Sequence, residues 1–93
     1  MSVDGAIVRT ASIRNQRGLH ARAAAKFVKT AGSFDAQIRV IKGDTDVSGG
    51  SIMGLMMLGA GIGTDIELRA TGRQAREAMR ALLELIERRF DEE

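Results

Sequence analysis

Residues 36–48 read AQIRVIKGDTDVS, and this stretch decides the class of fold. Polar and apolar side chains alternate along its first half, which places Ile38 and Val40 on one face of a strand. Gly43-Asp44 is a pair typical of a two-residue hairpin turn. Residues 45–48 then form a short return strand. The sequence therefore predicts an antiparallel β-hairpin near the middle of the chain.

Two further strands flank this hairpin along the chain. Residues 6–13 are rich in residues that favour strands and predict the first of them. Residues 65–71 alternate, with Ile66, Leu68 and Ala70 facing inward. We therefore expect a four-stranded sheet.

Helical periodicity marks three other segments. Residues 20–31 have one apolar side, formed by Ala24, Phe27, Val28 and Ala31. Residues 52–58 predict a helix of two turns at an edge of the fold. The last helix has a stripe of Ala75, Ala78, Met79, Leu82, Ile86 and Phe90. Thr71 and Gln74 fit a capping box at its start. Opposite charges four residues apart suggest ion pairs on its wet side, namely Arg73–Glu77, Arg80–Glu84 and Glu84–Arg88.

The element order is thus β-α-β-β-α-β-α, which predicts an α+β sandwich of one sheet and one helical layer. Its 93 residues form a single domain, 1–93. The chain lacks cysteine and has one histidine, which excludes disulfides and Cys- or His-rich metal sites. The longest apolar run is too short to cross a bilayer, and residues 1–5 lack the features of a secretory signal.

The single histidine is the first candidate for chemistry. His20 lies in Gly18-Leu19-His20-Ala21-Arg22, at or near the N-cap of the first helix. Backbone N–H groups without helical partners and the helix dipole favour an anion there. Arg22 adds a guanidinium suited to phosphate. A neutral imidazole is a nucleophile, so His20 could carry a phosphoryl group without a metal. A helix cap or surface histidine is the alternative from these residues alone.

Ser51 is a second candidate, because it opens the short apolar helix and a phosphate on it would lie at a helix N-terminus. A plain N-cap serine is the alternative. The helix itself contains Ile52, Met53, Leu55, Met56, Met57 and Leu58. Two turns cannot bury all of these side chains, and methionine suits adaptable protein contacts. Core packing is the alternative for them.

We interpret Gly59-Ala60-Gly61-Ile62-Gly63 as a flexible connection rather than a nucleotide loop.

The charge is uneven along the chain. Residues 1–50 hold eight Lys/Arg against four Asp/Glu, and residues 51–93 hold six against eight. Arg22, Lys26 and Lys29 share one side of the first helix, next to the Met-rich helix. Together they suggest a docking surface for an acidic protein. Nucleic-acid binding is supported only by this basic stripe, and the chain has no Trp or Tyr for base stacking.

These residues resemble a known family. The stretch Gly18-Leu19-His20-Ala21-Arg22, with the Ala-rich helix up to Phe27-Val28, resembles the active-site segment of the histidine-containing phosphocarrier (HPr) family of the bacterial phosphoenolpyruvate:phosphotransferase system. Ser51-Ile52-Met53-Gly54-Leu55-Met56 resembles its regulatory serine segment. The resemblance covers essentially the whole chain. It implies an open-faced β-sandwich with four antiparallel strands and three helices on one side.

The resemblance also implies a function. His20 would accept a phosphoryl group on Nδ1 from phosphorylated Enzyme I and pass it to a IIA protein or domain, with Arg22 contacting the phosphate. Ser51 would be the site of regulatory phosphorylation by HPr kinase/phosphorylase. Lys26, Lys29, Ile52, Met53, Leu55 and Met56 would contact partners. The protein would be a cytoplasmic monomer and a carrier rather than a stand-alone enzyme, with no metal or cofactor, no nucleic-acid partner and no membrane insertion.

One residue departs from the family pattern. The family usually has proline after the arginine, whereas this chain has Ala23. Alanine still favours the helix but restores an N–H and removes a fixed φ, so the active-site loop is less constrained. This change could favour a nitrogen-related branch over sugar uptake. The alternative function is a small non-catalytic protein-binding regulatory module that kept the fold and lost phosphotransfer.

Overall fold

The computed structural model describes residues 5–92. Four strands form one antiparallel sheet, and they are β1 (Ile7–Ser12), β2 (Gln37–Lys42), β3 (Thr45–Ser48) and β4 (Asp65–Thr71). The three helices are α1 (Ala21–Ala31), α2 (Ile52–Met57) and α3 (Ala75–Glu87), and a 3₁₀ turn follows at Arg89–Asp91. The predicted order β-α-β-β-α-β-α is confirmed, and the helices cover one face of the sheet.

The strands lie in the order β1-β4-β2-β3. In the hairpin, Lys42 pairs with Thr45 across a turn whose Gly43 has a φ of 59°. That left-handed angle carries little cost for glycine, which explains why this pair of residues makes the turn. β4 pairs with β1 on one side and with β2 on the other. β4, from the later part of the chain, is therefore an inner strand of the sheet and lies next to β1, from the start of the chain.

The core lies between the sheet and the helices. Ile38 and Val40 of β2 face it, as do Ile66, Leu68 and Ala70 of β4, as the alternation predicts. α3 packs on β1 and β4, while α2 contacts α1 and the edge strand β3. The predicted edge position of α2 is thus confirmed. α1 lies between the other two helices and brings its first residue to the end of the sheet where β1 finishes.

The predicted capping box of α3 is wrong. Thr71 is the last residue of β4 and pairs with Gln37, so it cannot cap a helix. Gln74 occupies the N-cap position without a side-chain capping bond. Its Oε1 instead accepts a hydrogen bond of 2.8 Å from the backbone N–H of Asp35. Sheet pairing and a tertiary contact have replaced the local motif.

The end of α3 also differs from the prediction. The helix stops at Glu87, and Phe90 lies beyond it in the 3₁₀ turn, although its side chain is fully buried. Within residues 5–92, the ion pairs expected along α3 are not found. Arg73 pairs with Asp35 and Arg88 with Asp91 instead.

Candidate functional site

His20 is the N-cap of α1, as predicted, with φ −76° and ψ 180°. The loop that leads to it is docked on residues of the connection before β4. The N–H of Leu19 donates to the carbonyl of Ala60 at 3.0 Å. Gly18 has a φ of +67°, and a Cβ there would lie 2.4 Å from that same oxygen. Only glycine allows the two backbones to lie this close. Residues 59–63, which we expected to be a flexible connection, therefore support the histidine loop.

The imidazole of His20 has a different partner at each nitrogen. The backbone N–H of Arg22 points to Nδ1 at 3.3 Å, and the carboxylate of Glu92 lies 2.5 Å from Nε2. A backbone N–H only donates, so Nδ1 must hold a lone pair. The ring proton is therefore on Nε2 and is donated to Glu92. The contact at Nδ1 is long and weak, so the Nδ1 lone pair has no strong hydrogen-bond donor among the described residues.

The carboxylate of Glu92 is held in place from the other side. Asn15 is completely buried, and its Nδ2 donates to the carbonyl of Gly18 at 2.8 Å and to Glu92 Oε1 at 3.0 Å. Burial of Glu92 desolvates its carboxylate and acts to raise its pKa, but the hydrogen bonds from Asn15 and His20 outweigh this and hold the pKa below the usual 4.5. The carboxylate is therefore ionised at neutral pH and bridges the loop and the histidine.

Glu92 reaches His20 because residues 88–92, here called the strap, fold back over the start of α1. Arg89, Phe90 and Asp91 have φ values of 60°, 55° and 62°. Three consecutive left-handed residues other than glycine are unfavourable and need compensation from tertiary contacts. The Phe90 side chain is buried, and Lys26 Nζ donates to its carbonyl at 2.8 Å. The strap is therefore anchored to the core and to α1.

An open depression of about 530 Å³ lies beside the strap, and Glu92, the partner of His20, is among the residues that line it. Its lining includes three cationic side chains, namely Arg17, Arg22 and Lys26, and two acidic ones, namely Asp91 and Glu92. α1 has no acidic residue in its first turn, so the positive end of its dipole is not neutralised there. The positive start of α1 and the three cationic side chains together favour the binding of a dianion. The structure thus places Arg22 and Lys26 in one depression with the two acidic residues of the strap.

Sequence reasoning missed Asn15, Arg17 and Glu92. Asn15 and Arg17 lie in the polar segment between β1 and α1 and belong to no recognisable motif. Glu92 lies in an acidic tail, residues 91–93, that has no recognisable motif either. The one signal available was Phe90, whose place in the apolar stripe indicates that the chain beyond it stays against the core.

Ser51 is the N-cap of α2, and its Oγ accepts a hydrogen bond of 2.9 Å from the N–H of Gly54. The serine is partly exposed. Its structural role as a cap is thus established by geometry. A phosphate on this oxygen would stand next to the exposed side chains of Ile52 and Met53 at the first turn of the helix.

The exposed apolar patch of α2 partly agrees with the predicted docking residues. Ile52, Met53 and Met56 are exposed, and Met53 exposes 71% of its area. Leu55 is different, because it is 0% exposed and packs in the core, so it cannot touch a partner and that assignment is wrong. Met57 (76% exposed) extends the exposed set on α2 beyond the predicted docking residues. Lys29 is exposed on α1.

Among residues 5–92, no three His, Cys, Asp or Glu side chains are grouped so that they could hold a metal ion. None of the helices within that range has the length and apolar character needed to cross a membrane.

Fold and site together define a class, that of small open-faced β-sandwiches with a single histidine at the N-cap of their first helix. The sequence model described as "PTS HPr component phosphorylation site" matches residues 7–88. The chain belongs to this family, the HPr phosphocarriers of the phosphotransferase system.

Individual relatives agree with this assignment. Phosphocarrier protein HPr of Pseudomonas aeruginosa is 54% identical over 82 residues, covering 87% of this chain and 91% of that protein. Phosphocarrier protein NPr of Shewanella violacea is 42% identical over 84 residues, 90% of this chain and 92% of that protein. The crystal structure of HPr-C-His from Thermoanaerobacter tengcongensis superposes with a TM-score of 0.89 at 47% identity, covering 94% of this chain and 98% of that one.

Proposed function

We propose that this chain carries a phosphoryl group on His20, accepting it from phosphorylated Enzyme I and passing it to a IIA protein or domain. The observation that supports this most directly is the state of the imidazole. Nδ1 has a lone pair, and only a weak contact from the Arg22 N–H lies in front of it. The family membership supports the reaction class, and the geometry supports Nδ1 as the accepting atom.

The transfer itself needs position and charge stabilisation more than acid–base chemistry. When Nδ1 attacks phosphorus, the N–H of Arg22 is released from the ring and can donate to a phosphoryl oxygen. The Arg22 guanidinium and the other free N–H groups at the start of α1 would provide further donors. No step in this sequence requires a metal or cofactor held by this chain.

Docking is proposed to use the exposed patch of α2 together with the cations of α1. Ile52, Met53 and Met56 supply apolar contact, and Lys29 supplies charge at the edge. Lys26 acts differently from the sequence expectation, since its ammonium is bonded to the strap. A carrier must leave each partner quickly, and a small apolar patch with a charged rim suits a short-lived complex.

Regulation through Ser51 belongs to the same proposal. A phosphoserine adds close to two negative charges beside Ile52 and Met53, and this charge would oppose docking of an apolar partner surface. The kinase would be HPr kinase/phosphorylase. On this proposal the protein acts as a monomer in the cytoplasm, where phosphoenolpyruvate is available.

The test is phosphotransfer from phosphoenolpyruvate with purified Enzyme I, read by intact mass. The native chain should gain one phosphoryl group that is labile in acid and stable in base. His20→Ala should gain none, and Lys29→Ala should still be fully phosphorylated at long times. An unmodified native chain beside an active Enzyme I would refute the carrier role and favour the protein-binding module.

A further inference from the structure

We propose that Glu92 is a positioning residue for phosphotransfer, acting through Nε2 of His20 and held in place by the buried amide of Asn15. The inference rests on the proposed acceptance of phosphate by His20 and extends it to a residue 72 positions away in the chain. The contact itself is the starting observation. The two side chains are 18% and 14% exposed, so water competes little with their hydrogen bond.

The amide of Asn15 fixes the direction of the carboxylate. Both hydrogen bonds of Nδ2 go to acceptors, Gly18 O and Glu92 Oε1, while Asn15 Oδ1 is buried without a partner among the described residues. A buried acceptor without a partner is costly. The cost is tolerated because rotating the amide would place an oxygen against both acceptors. Asn15 therefore serves as a donor that joins the histidine loop to the strap.

The carboxylate matters most during the transfer. The Nδ1 lone pair forms the new N–P bond, the N–P bond of the donor phosphohistidine breaks, and its electron pair returns to the donor imidazole. His20 keeps its Nε2 proton, so its ring gains positive charge as the bond forms. An ionised Glu92 hydrogen-bonded to that proton stabilises the developing charge and keeps the ring in the attacking orientation, as the carboxylate does for the imidazole of a hydrolase triad.

The surroundings explain why the carboxylate does not repel the incoming phosphate. Glu92 bonds to the nitrogen that does not react, and the cations Arg17, Arg22 and Lys26 line the depression beside it. Asp91, the other acid of the strap, is paired with Arg88 at 3.0 Å and with Lys26 at 3.7 Å. Lys26 is occupied by the strap, so Arg17 and Arg22 are the cations available to an incoming phosphate, while the carboxylate of Glu92 is bonded to Nε2.

The experiment compares Glu92→Ala and Glu92→Gln with the native chain in Enzyme I-dependent phosphorylation. Glu87→Gln is the matched control, because Glu87 is an exposed acid five residues earlier whose described partner is Arg14. We expect Glu92→Ala to lower kcat about tenfold with KM for phospho-Enzyme I changed less than about twofold. Glu92→Gln should recover part of the rate, since its amide oxygen still accepts from Nε2. The control should match the native chain.

A second measurement separates positioning from a general effect on folding. In isotope-labelled protein, the Nε2 proton of His20 should give a slowly exchanging imidazole N–H signal in the native chain and in the control, and none in Glu92→Ala. Unchanged kcat in Glu92→Ala, or an N–H signal that survives there, overturns the inference. If the native chain itself accepts no phosphate, the proposed function fails and this inference with it, and that outcome is recognisable because native and variant are equally inert.

Discussion

Replacing Phe90 by alanine should destabilise the protein less than the burial of its ring suggests. Removing a fully buried phenylalanine costs about 4 kcal/mol in transfer and cavity energy. Phe90, however, holds three residues in left-handed conformations. If the strap is released, each of these residues relaxes, and the backbone strain that is relieved offsets about 1 kcal/mol of the loss per residue. The freed strap also loses three hydrogen bonds, one from Lys26 to the Phe90 carbonyl and two at the Glu92 carboxylate, at about 0.5 kcal/mol each. The net loss should be about 2.5 kcal/mol.

Phe27→Ala provides the comparison. Phe27 is equally buried, but it lies in the middle of α1 and holds no strained turn, so its loss should cost the full 4 kcal/mol or so. Urea titration and thermal unfolding of both variants measure the difference, and the Phe90→Ala melting temperature should fall by about 10–20 °C. A Phe90→Ala loss as large as that of Phe27→Ala would show that relaxation of the strap returns nothing, which contradicts the reasoning.

Three other perturbations have distinct expected results. Gly18→Ala should lower the free energy of unfolding by about 2–3 kcal/mol in a urea titration, because a left-handed φ combines there with a clash of the new Cβ against Ala60 O. Gly59→Ala, at a left-handed position where nothing obstructs the Cβ, should lower it by only about 1 kcal/mol. Met53→Lys should weaken binding to Enzyme I about tenfold in calorimetry with native stability, while Leu55→Ala should lose about 2–4 kcal/mol of stability. The stabilising contact of Glu92, whose folded pKa lies below 4.5, is fully present above that pH and is lost as the pH falls through the folded pKa. Glu92→Gln should therefore show a shallower loss of stability in acid, and a carboxyl titration by NMR that gave Glu92 a pKa of 4.5 or higher would contradict this.

The sheet could be predicted from sequence because its information is local. Ile38 and Val40 alternate with polar neighbours, and Gly43 fixes where the chain turns, so register and facing follow from a few adjacent residues. The N-cap role of His20 was predictable for the same reason, since a polar loop precedes a clear helical pattern.

Local patterns misled where a distant partner decided the outcome. Thr71 and Gln74 have the spacing of a capping box. Thr71, however, pairs with Gln37 in the sheet, and the side chain of Gln74 accepts a hydrogen bond from Asp35. Leu55 looked like its exposed neighbours, and only the packing of α2 on α1 distinguishes it. The contact of Glu92 depends on left-handed φ angles at Arg89, Phe90 and Asp91. None of these residues is glycine, so no sequence pattern indicates these angles.

The long separation between His20 and its carboxylate has a consequence during synthesis. The histidine loop leaves the ribosome early, together with β1, but β1 has no partner until β4 follows, and the ring lacks its Nε2 acceptor until Glu92 is free. Until residue 92 has been made, a nascent chain therefore exposes a histidine loop without the partners that it has in the folded protein. On the proposed function, such a chain would accept a phosphoryl group more slowly than the folded protein.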